Sequence, residues 1–342
     1  MSQSPALRAH GVVKSYGPRR VVDHVDLSAE RGHITAVLGP NGAGKTTMIE
    51  CCAGLRTPDA GRITVLGLDR LSPSSATELR ARVGVMVQEG GLPMAPSAGA
   101  VLTHVAHLHG APERAARVAE QLSLTDSLST PVRRLSGGQR QRLAVGCAMV
   151  GQPDLMFLDE PSSGVDPHSR REMWRLLDAE RERGAALVVT THLMDEAEAL
   201  ADHIVVIDRG RVVAAGTVSD LTSGTFVEID AQVSAIDAEG LAGLIDAQRP
   251  SATHAGAPDR PLTLEAGDLT ARDLHRLTSR LLELGLDDAS LTVKPRTLEN
   301  VFLRLTREGA DGGEAAQPTQ PRRGRRRGFA RLRARTGNGE TS

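Results

Sequence analysis

The chain has 342 residues, 40% of them hydrophobic, which suffices for two domains, or for one large domain and a smaller one. A formal charge of −1 draws it neither to nucleic acid nor to a membrane surface, and aromatic residues at 2% leave no stacking platform for single strands. No run of eighteen apolar residues offers a membrane span, and the opening MSQSPALRAHGVVKSYG has no apolar run of signal-peptide length, so any membrane role requires a partner.

In chain order, the first residue of interest is Tyr16, the only tyrosine, in VVKSYGP. It can stack on a nucleobase or pack into a core. Residues 33–38 (HITAVL) predict a short buried strand, and TTMIECCAGL predicts a helix shortly after. Between them, Gly39-Pro40-Asn41-Gly42-Ala43-Gly44-Lys45-Thr46 fits G-x-x-x-x-G-K-[ST], followed by Thr47. Strand, glycine loop and helix in this order make a phosphate cradle: backbone amides approach the phosphate oxygens, Lys45 reaches the β- and γ-phosphates, and the Thr46 hydroxyl holds Mg²⁺. A polyphosphate ligand with Mg²⁺ is expected.

Gln88 ends the apolar run VGVMVQ, where an amide can complete a Mg²⁺ shell or orient a water. In RRLSGGQRQRL (133–143), a serine and two glycines expose backbone amides at the start of a helix, a second anion-binding turn. LMFL (155–158) predicts another buried strand, ending in Asp159 and Glu160. A strand-terminal Asp suits Mg²⁺, usually through water. Glu160 reads either as a solvated surface acid or as the general base for an attacking water. Residues 168–183 are an amphipathic helix, and LVVTT (187–191) is a strand ending at His192, itself either structural or a γ-phosphate contact. A helix follows over 193–201. IVVI (204–207) and RVVA (211–214), around Asp208-Arg209-Gly210, predict a hairpin. Strands alternating with helices argue for a mostly parallel α/β core with its chemistry at the carboxyl ends of the strands.

The pattern changes near Thr217. Strand-like alternation at 225–233 and 262–268, a helix over 271–285, and Leu298, Val301, Phe302 and Leu305 at helical spacing predict a small α+β domain over 225–307. From Gly309 on, Gly, Pro, Gln and then Arg dominate, with eight Arg and one Glu in 322–342. This tail reads as a solvated, disordered extension, as a segment attracted to anionic lipid, or as a nucleic-acid contact. Cys51, Cys52 and Cys147 have no metal-ligand or disulfide spacing and read as core thiols.

GPNGAGKTT, LSGGQ, LMFLDEP, SSGVD and His192, in this order, resemble the ATP-binding subunit of an ABC transporter over about residues 6–222. The resemblance implies a P-loop NTPase fold: a mostly parallel core sheet, an antiparallel β subdomain, and a helical subdomain at about 89–150 that carries the LSGGQ turn. It implies that Tyr16 stacks on adenine, that Gln88 links Mg²⁺ to a membrane domain, that Glu160 is the base and that His192 is the switch residue. It also implies a head-to-tail dimer in which Ser136, Gly137, Gly138, Gln139 and Asp166 of one copy meet the nucleotide of the other. Ser162 and Val165 stand where Thr and Leu are commoner in the family. The segment Leu298-Glu299-Asn300-Val301-Phe302-Leu303-Arg304-Leu305 is similar to the end of the extra domain in daunorubicin-resistance-type exporters. That implies export through a separately encoded multi-span permease at the cytoplasmic face of a bacterial membrane. A soluble relative acting on ribosomes or DNA would carry two cassettes or long heptads, neither of which is present; an importer subunit stays open, since only the C-terminal domain argues for export.

Overall fold

The computed structural model describes residues 4–88, 91–231, 233, 235–245, 262–267 and 269–303. The arginine-rich tail and Leu305 lie outside the described residues.

The chain begins with the antiparallel pair β1 (Leu7–Tyr16) and β2 (Arg19–Ala29), then β3 (Ile34–Leu38) and α1 (Lys45–Ala53). The strands β4 (Ala60–Val65) and β5 (Leu68–Asp69) complete a four-stranded sheet of order β2-β1-β4-β5. Next come α2 (Ala76–Arg82), β6 (Val83–Met86) and a helical layer of α3 (Ala98–Leu108), α4 (Arg114–Gln121) and α5 (Gly137–Met149). The chain continues with β7 (Leu155–Asp159), α6 (Pro167–Glu182), β8 (Ala186–Thr191), α7 (Met194–Leu200), β9 (His203–Asp208), β10 (Arg211–Gly216) and α8 (Val218–Thr222). The central sheet has the order β10-β9-β3-β8-β7-β6 and is parallel except for the β9–β10 hairpin.

Every residue of β3, β7 and β8 is buried, as a parallel sheet covered on both faces requires. Successive side chains point to opposite faces. Leu155, Phe157, Ala186 and Val188 pack towards α1 and the antiparallel sheet, whereas Met156, Leu158, Leu187 and Val189 pack towards the core shared by α3, α5 and α6. One layer of strands thus serves two cores. In the helical layer Gly146 lets α5 approach α4 closely: a Cβ there would lie 2.9 Å from Leu122 Cδ1.

Beyond Gly224 the chain forms β11 (Thr225–Asp230), α9 (Ala235–Leu244), β12 (Leu262–Ala266), α10 (Ala271–Glu283) and β13 (Ser290–Pro295). The antiparallel sheet β12-β11-β13 buries Val227, Ile229, Leu262 and Leu264 against Leu241, Leu277 and Leu281 of the helices. The helical residues 298–303 do not join that core. Leu298 and Phe302 pack on Ala36, Leu38, Ala197, Ile204 and Val206 of the parallel-sheet core, and the Leu298 amide donates to Glu198 Oε1 at 2.5 Å. A stripe readable as part of the small α+β unit therefore covers the larger one, because β3 and β9 have an apolar face that α7 only partly covers.

Candidate active site

Register brings the site together. Leu38 pairs with Thr191 across β3 and β8, and Asp159 pairs with Thr190 across β7 and β8. The carboxyl ends of the three strands therefore stop side by side, at Gly39, Glu160 and His192. β6 pairs Met86 with Leu158, so Gln88, two residues further on, reaches the same point.

The phosphate loop is shaped by close approach. A Cβ at Gly39 would sit 2.2 Å from the Ile207 carbonyl oxygen, and one at Gly44, at φ 105°, would sit 2.4 Å from the Val21 carbonyl oxygen. No side chain fits at either place. The loop turns into α1 at Gly44, and the Ala43 amide bonds the Pro40 carbonyl at 3.1 Å. The Lys45 side chain folds back: Nζ donates to the Gly39 carbonyl at 2.8 Å and the Pro40 carbonyl at 3.2 Å, and only 5% of the residue is exposed. Burial pulls its pKa down, against the opposing charges of Glu160 and Asp159.

Asp159 is 1% exposed. Burial raises its pKa, opposed by hydrogen bonding from the Thr190 and Thr46 hydroxyls and by Lys45. Thr190 Oγ1 donates to Asp159 Oδ1, while Oδ2 is buried with no hydrogen-bond partner among the described residues. A buried carboxylate oxygen without a donor, beside a threonine hydroxyl at the foot of the phosphate loop, is the donor set that a hydrated Mg²⁺ takes.

Glu160 follows at φ 51°, a left-handed backbone that Glu rarely adopts. Its amide donates to Thr190 Oγ1 at 2.9 Å, and its carbonyl accepts from Gln141 Nε2 at 2.6 Å. Thus pinned, its carboxylate turns into the cleft. Gln88 Nε2 donates to Oε2 at 3.1 Å, and His192 Nδ1 lies 3.5 Å from the same oxygen. Gln88 bonds Glu160, and no bond from it to Asp159 is present among the described residues.

These groups line one cleft of about 470 Å³, with Tyr16, Arg19, Val21 and residues Asn41 to Thr47 on its other walls. Tyr16 is 42% exposed, with the Arg56 guanidinium 5.6 Å from its ring centroid, so it is a wall of the cleft and not a core residue. Sequence patterns do not single out Arg19, Val21, Thr190 or Gln141. The basic run GPRRVV directly after Tyr16 is a signal for the first two; nothing local marks the others.

The predicted residues Ser136, Gly137, Gly138, Gln139 and Asp166 do not line this cleft. Ser136 and Gln139 cap α5 reciprocally: the Gln139 amide donates to Ser136 Oγ at 3.2 Å, and the Ser136 amide to Gln139 Oε1 at 2.9 Å. A Cβ built at Gly137 would meet nothing within 4 Å. Asp166 caps α6, accepting from the His168 and Ser169 amides, and those bonds hold its pKa down to about 2. Cys51 and Cys52 are buried beneath the phosphate loop and Cys147 is half-buried; burial pushes the thiols of Cys51 and Cys147 up to about 11 and about 12, which leaves them inert.

Comparison with known proteins agrees with this geometry. Residues 22–163 match the ABC transporter family model. The chain is 34% identical over 319 residues to the daunorubicin resistance ATP-binding protein DrrA3 of Streptomyces coeruleorubidus, covering 91% of this chain and 99% of that one. It is also 34% identical over 311 residues to the Nod factor export ATP-binding protein I of Ralstonia nicotianae, covering 90% and 95%. Among solved structures, an ATP-binding subunit of an ABC transporter aligns over 63% of this chain and 91% of its own at 26% identity, with a TM-score of 0.58. The chain belongs to the ATP-binding subunits of ABC transporters, and it is an ATPase.

Proposed function

We propose that this subunit works as a dimer of two identical copies, each nucleotide held between them, and drives export through a separately encoded multi-span permease at the cytoplasmic face of a bacterial membrane. The observation that carries the reading is the separation of two anion-binding turns. The cleft holds the phosphate loop and the Glu160 cluster, while the Ser136 turn stands elsewhere on the same chain, with Gly137 open. A head-to-tail second copy brings that turn to the phosphates. The ATP-binding domain runs, in this reading, to residue 222, and the small C-terminal domain begins at residue 225.

In this reading the loop amides and the start of α1 take the triphosphate, and Lys45 exchanges its two carbonyl partners for phosphate oxygens. Tyr16 stacks on the adenine. Thr46 and Asp159 would hold Mg²⁺, with Gln88 as a further candidate ligand; the ion would neutralise charge developing on the phosphates. Glu160 accepts the proton of the attacking water through the oxygen that Gln88 and His192 hold. The Ser136 hydroxyl and the Gly137 and Gly138 amides of the second copy, with Gln139 and Asp166, close over the γ-phosphate. Loss of that phosphate removes the ligand joining the two copies, so the dimer reopens.

Export is supported by the relatives' names, daunorubicin resistance and Nod factor export. Among the described residues no helix is long and apolar enough to cross a membrane; the relatives' naming as ATP-binding proteins of export and resistance systems supports a separate permease as the path. A groove of about 520 Å³ beside Gln88, lined by Val85, Met86, Leu92, Met94 and Cys147, offers it a seat next to the catalytic cluster. The arginines of 322–335 supply charge for attraction to anionic lipid at that face.

The test is Glu160→Gln. Phosphate release falls about 10³-fold, and the variant accumulates as an ATP-bound dimer by light scattering. Captured from its host with ATP and mild detergent, it carries a multi-span membrane protein. Turnover at the wild-type rate would remove Glu160 as the base; ribosomal or DNA-repair proteins in the capture would overturn the transport role.

A further inference from the structure

Glu196 is a buried carboxylate that the mechanism above does not use. It lies on α7, the helix that starts two residues after His192, and is 6% exposed. A carboxylate at that depth is retained only with partners. The Ser162 hydroxyl donates to Glu196 Oε2 at 2.6 Å, and Thr191 Oγ1 is 3.5 Å from the same oxygen. Arg170 Nε lies 3.1 Å from Oε1, an ion pair without hydrogen-bond geometry, and the same guanidinium donates through Nη2 to the Val165 carbonyl at 3.3 Å.

The partners are placed on both flanks of the catalytic pair. Ser162 is two residues beyond Glu160, in the loop that ends at Asp166; the Ser163 amide bonds the Glu160 carbonyl at 3.1 Å. Thr191 immediately precedes His192, and its hydroxyl also accepts from the Leu193 amide at 3.0 Å, bracketing the histidine. One buried carboxylate therefore ties the segment after Glu160 to the segment around His192, and through Arg170 reaches the backbone beside Asp166.

We infer that Glu196 is a positioning residue that clamps the 162–166 loop to the His192 turn, so that the Glu160–His192 spacing follows the seating of that loop. The inference rests on the proposed roles of Glu160 and His192. It also accounts for Ser162, whose hydroxyl is the link to Glu196. A partner copy pressing on Asp166 thereby acts on the catalytic pair from behind, through side chains that never touch nucleotide.

The experiment measures steady-state ATP hydrolysis and, separately, affinity for a fluorescent ATP analogue in Ser162→Ala, Glu196→Ala, Glu196→Gln and the Ser162→Ala/Glu196→Ala double variant. Glu196→Ala lowers kcat about tenfold, with analogue affinity within about twofold of wild type, because misplacement of the catalytic groups acts on turnover and not on ground-state binding. Glu196→Gln still accepts from Ser162 and returns kcat to within about threefold. The double variant is no slower than Glu196→Ala, since the two residues act as one link. Unchanged kcat in Ser162→Ala and Glu196→Ala, additive losses, or a loss that Gln does not relieve overturns the inference; if Glu196→Ala does not fold, Ser162→Ala decides by its kcat. Glu160→Gln assayed alongside reports on the catalytic reading by itself. Should that reading fail, amide exchange still decides the clamp. Faster exchange at both 162–166 and 190–193 in Ser162→Ala or Glu196→Ala supports it, and unchanged exchange at either segment overturns it.

Discussion

The molecule contains two helix starts rich in glycine and bare amides, and they are in opposite conditions. At the first, before α1, the glycines are walled in by backbone, the lysine is buried, and acid, amide and imidazole groups converge on it. At the second, before α5, Ser136 and Gln139 satisfy each other's amides, and a Cβ at Gly137 would meet nothing within 4 Å. The first is a preformed pocket that a second copy would close over; the second is a capped surface that such a copy would present. A preformed pocket holds strained and buried groups in place, whereas a surface that waits for a partner must be stable without it.

Four substitutions sharpen or break that contrast, apart from those already described. Ser136→Arg leaves analogue affinity of the isolated chain unchanged but lowers kcat about 100-fold and abolishes ATP-dependent dimerisation in light scattering, because a long cation replaces a hydrogen-bonding turn at the proposed interface. Persistent dimerisation would remove the Ser136 turn from the closing contact. Gly39→Ala, by forcing a methyl against the Ile207 carbonyl, destabilises by about 1–3 kcal/mol in denaturant melts. Gly137→Ala changes stability by less than about 0.5 kcal/mol, and equal effects at the two sites would dissolve the distinction between walled and open glycines. Tyr16→Ala raises the KM for ATP about fivefold with kcat preserved, as expected for loss of an aromatic face worth about 1 kcal/mol.

A further effect on stability depends on pH. The pKa of Asp159 is raised in the fold, so the native state holds that proton more tightly than the unfolded chain. Its contribution favours folding at low pH and is lost as pH rises through the folded value. Asp159→Asn removes that loss, and the nucleotide-free variant melts about 2 °C higher at pH 7 in calorimetry, while its turnover collapses. A lower melting temperature at pH 7 would mean that the Thr190 bond outweighs the burial of charge.

Much of the site was legible. G-x-x-x-x-G-K-T between a β-branched run and a helix, and an acid pair closing LMFL, are local patterns in which residue type and element end coincide. Tyr16 was ambiguous because an aromatic ring suits a core and a base equally; only the position of β1 at the rim of the cleft exposes it. The antiparallel sheet of β1, β2, β4 and β5 has frequent bulges, with register shifts at Ala9, Val12 and Lys14, which blur the period-2 signal. Thr190, Gln141 and Glu196 are single polar residues in apolar or mixed surroundings, and nothing in their neighbours distinguishes a catalytic support from an ordinary buried or surface group.

From the sequence alone, then, come the strands and helices around the phosphate loop and the acid pair, the phosphate loop itself and the family, because each rests on periodicity or on a motif a few residues long. The tertiary structure decides the strand order, with β7 set between β6 and β8, and so the meeting of Gln88, Glu160 and His192. It also decides that residues 298–303 cover the larger core rather than the smaller one, and that a carboxylate on α7 accepts from the Ser162 hydroxyl beside Thr191. These outcomes depend on which distant surfaces fit and on the handed crossovers between parallel strands, and such long-range packing leaves no signature in any short stretch of chain.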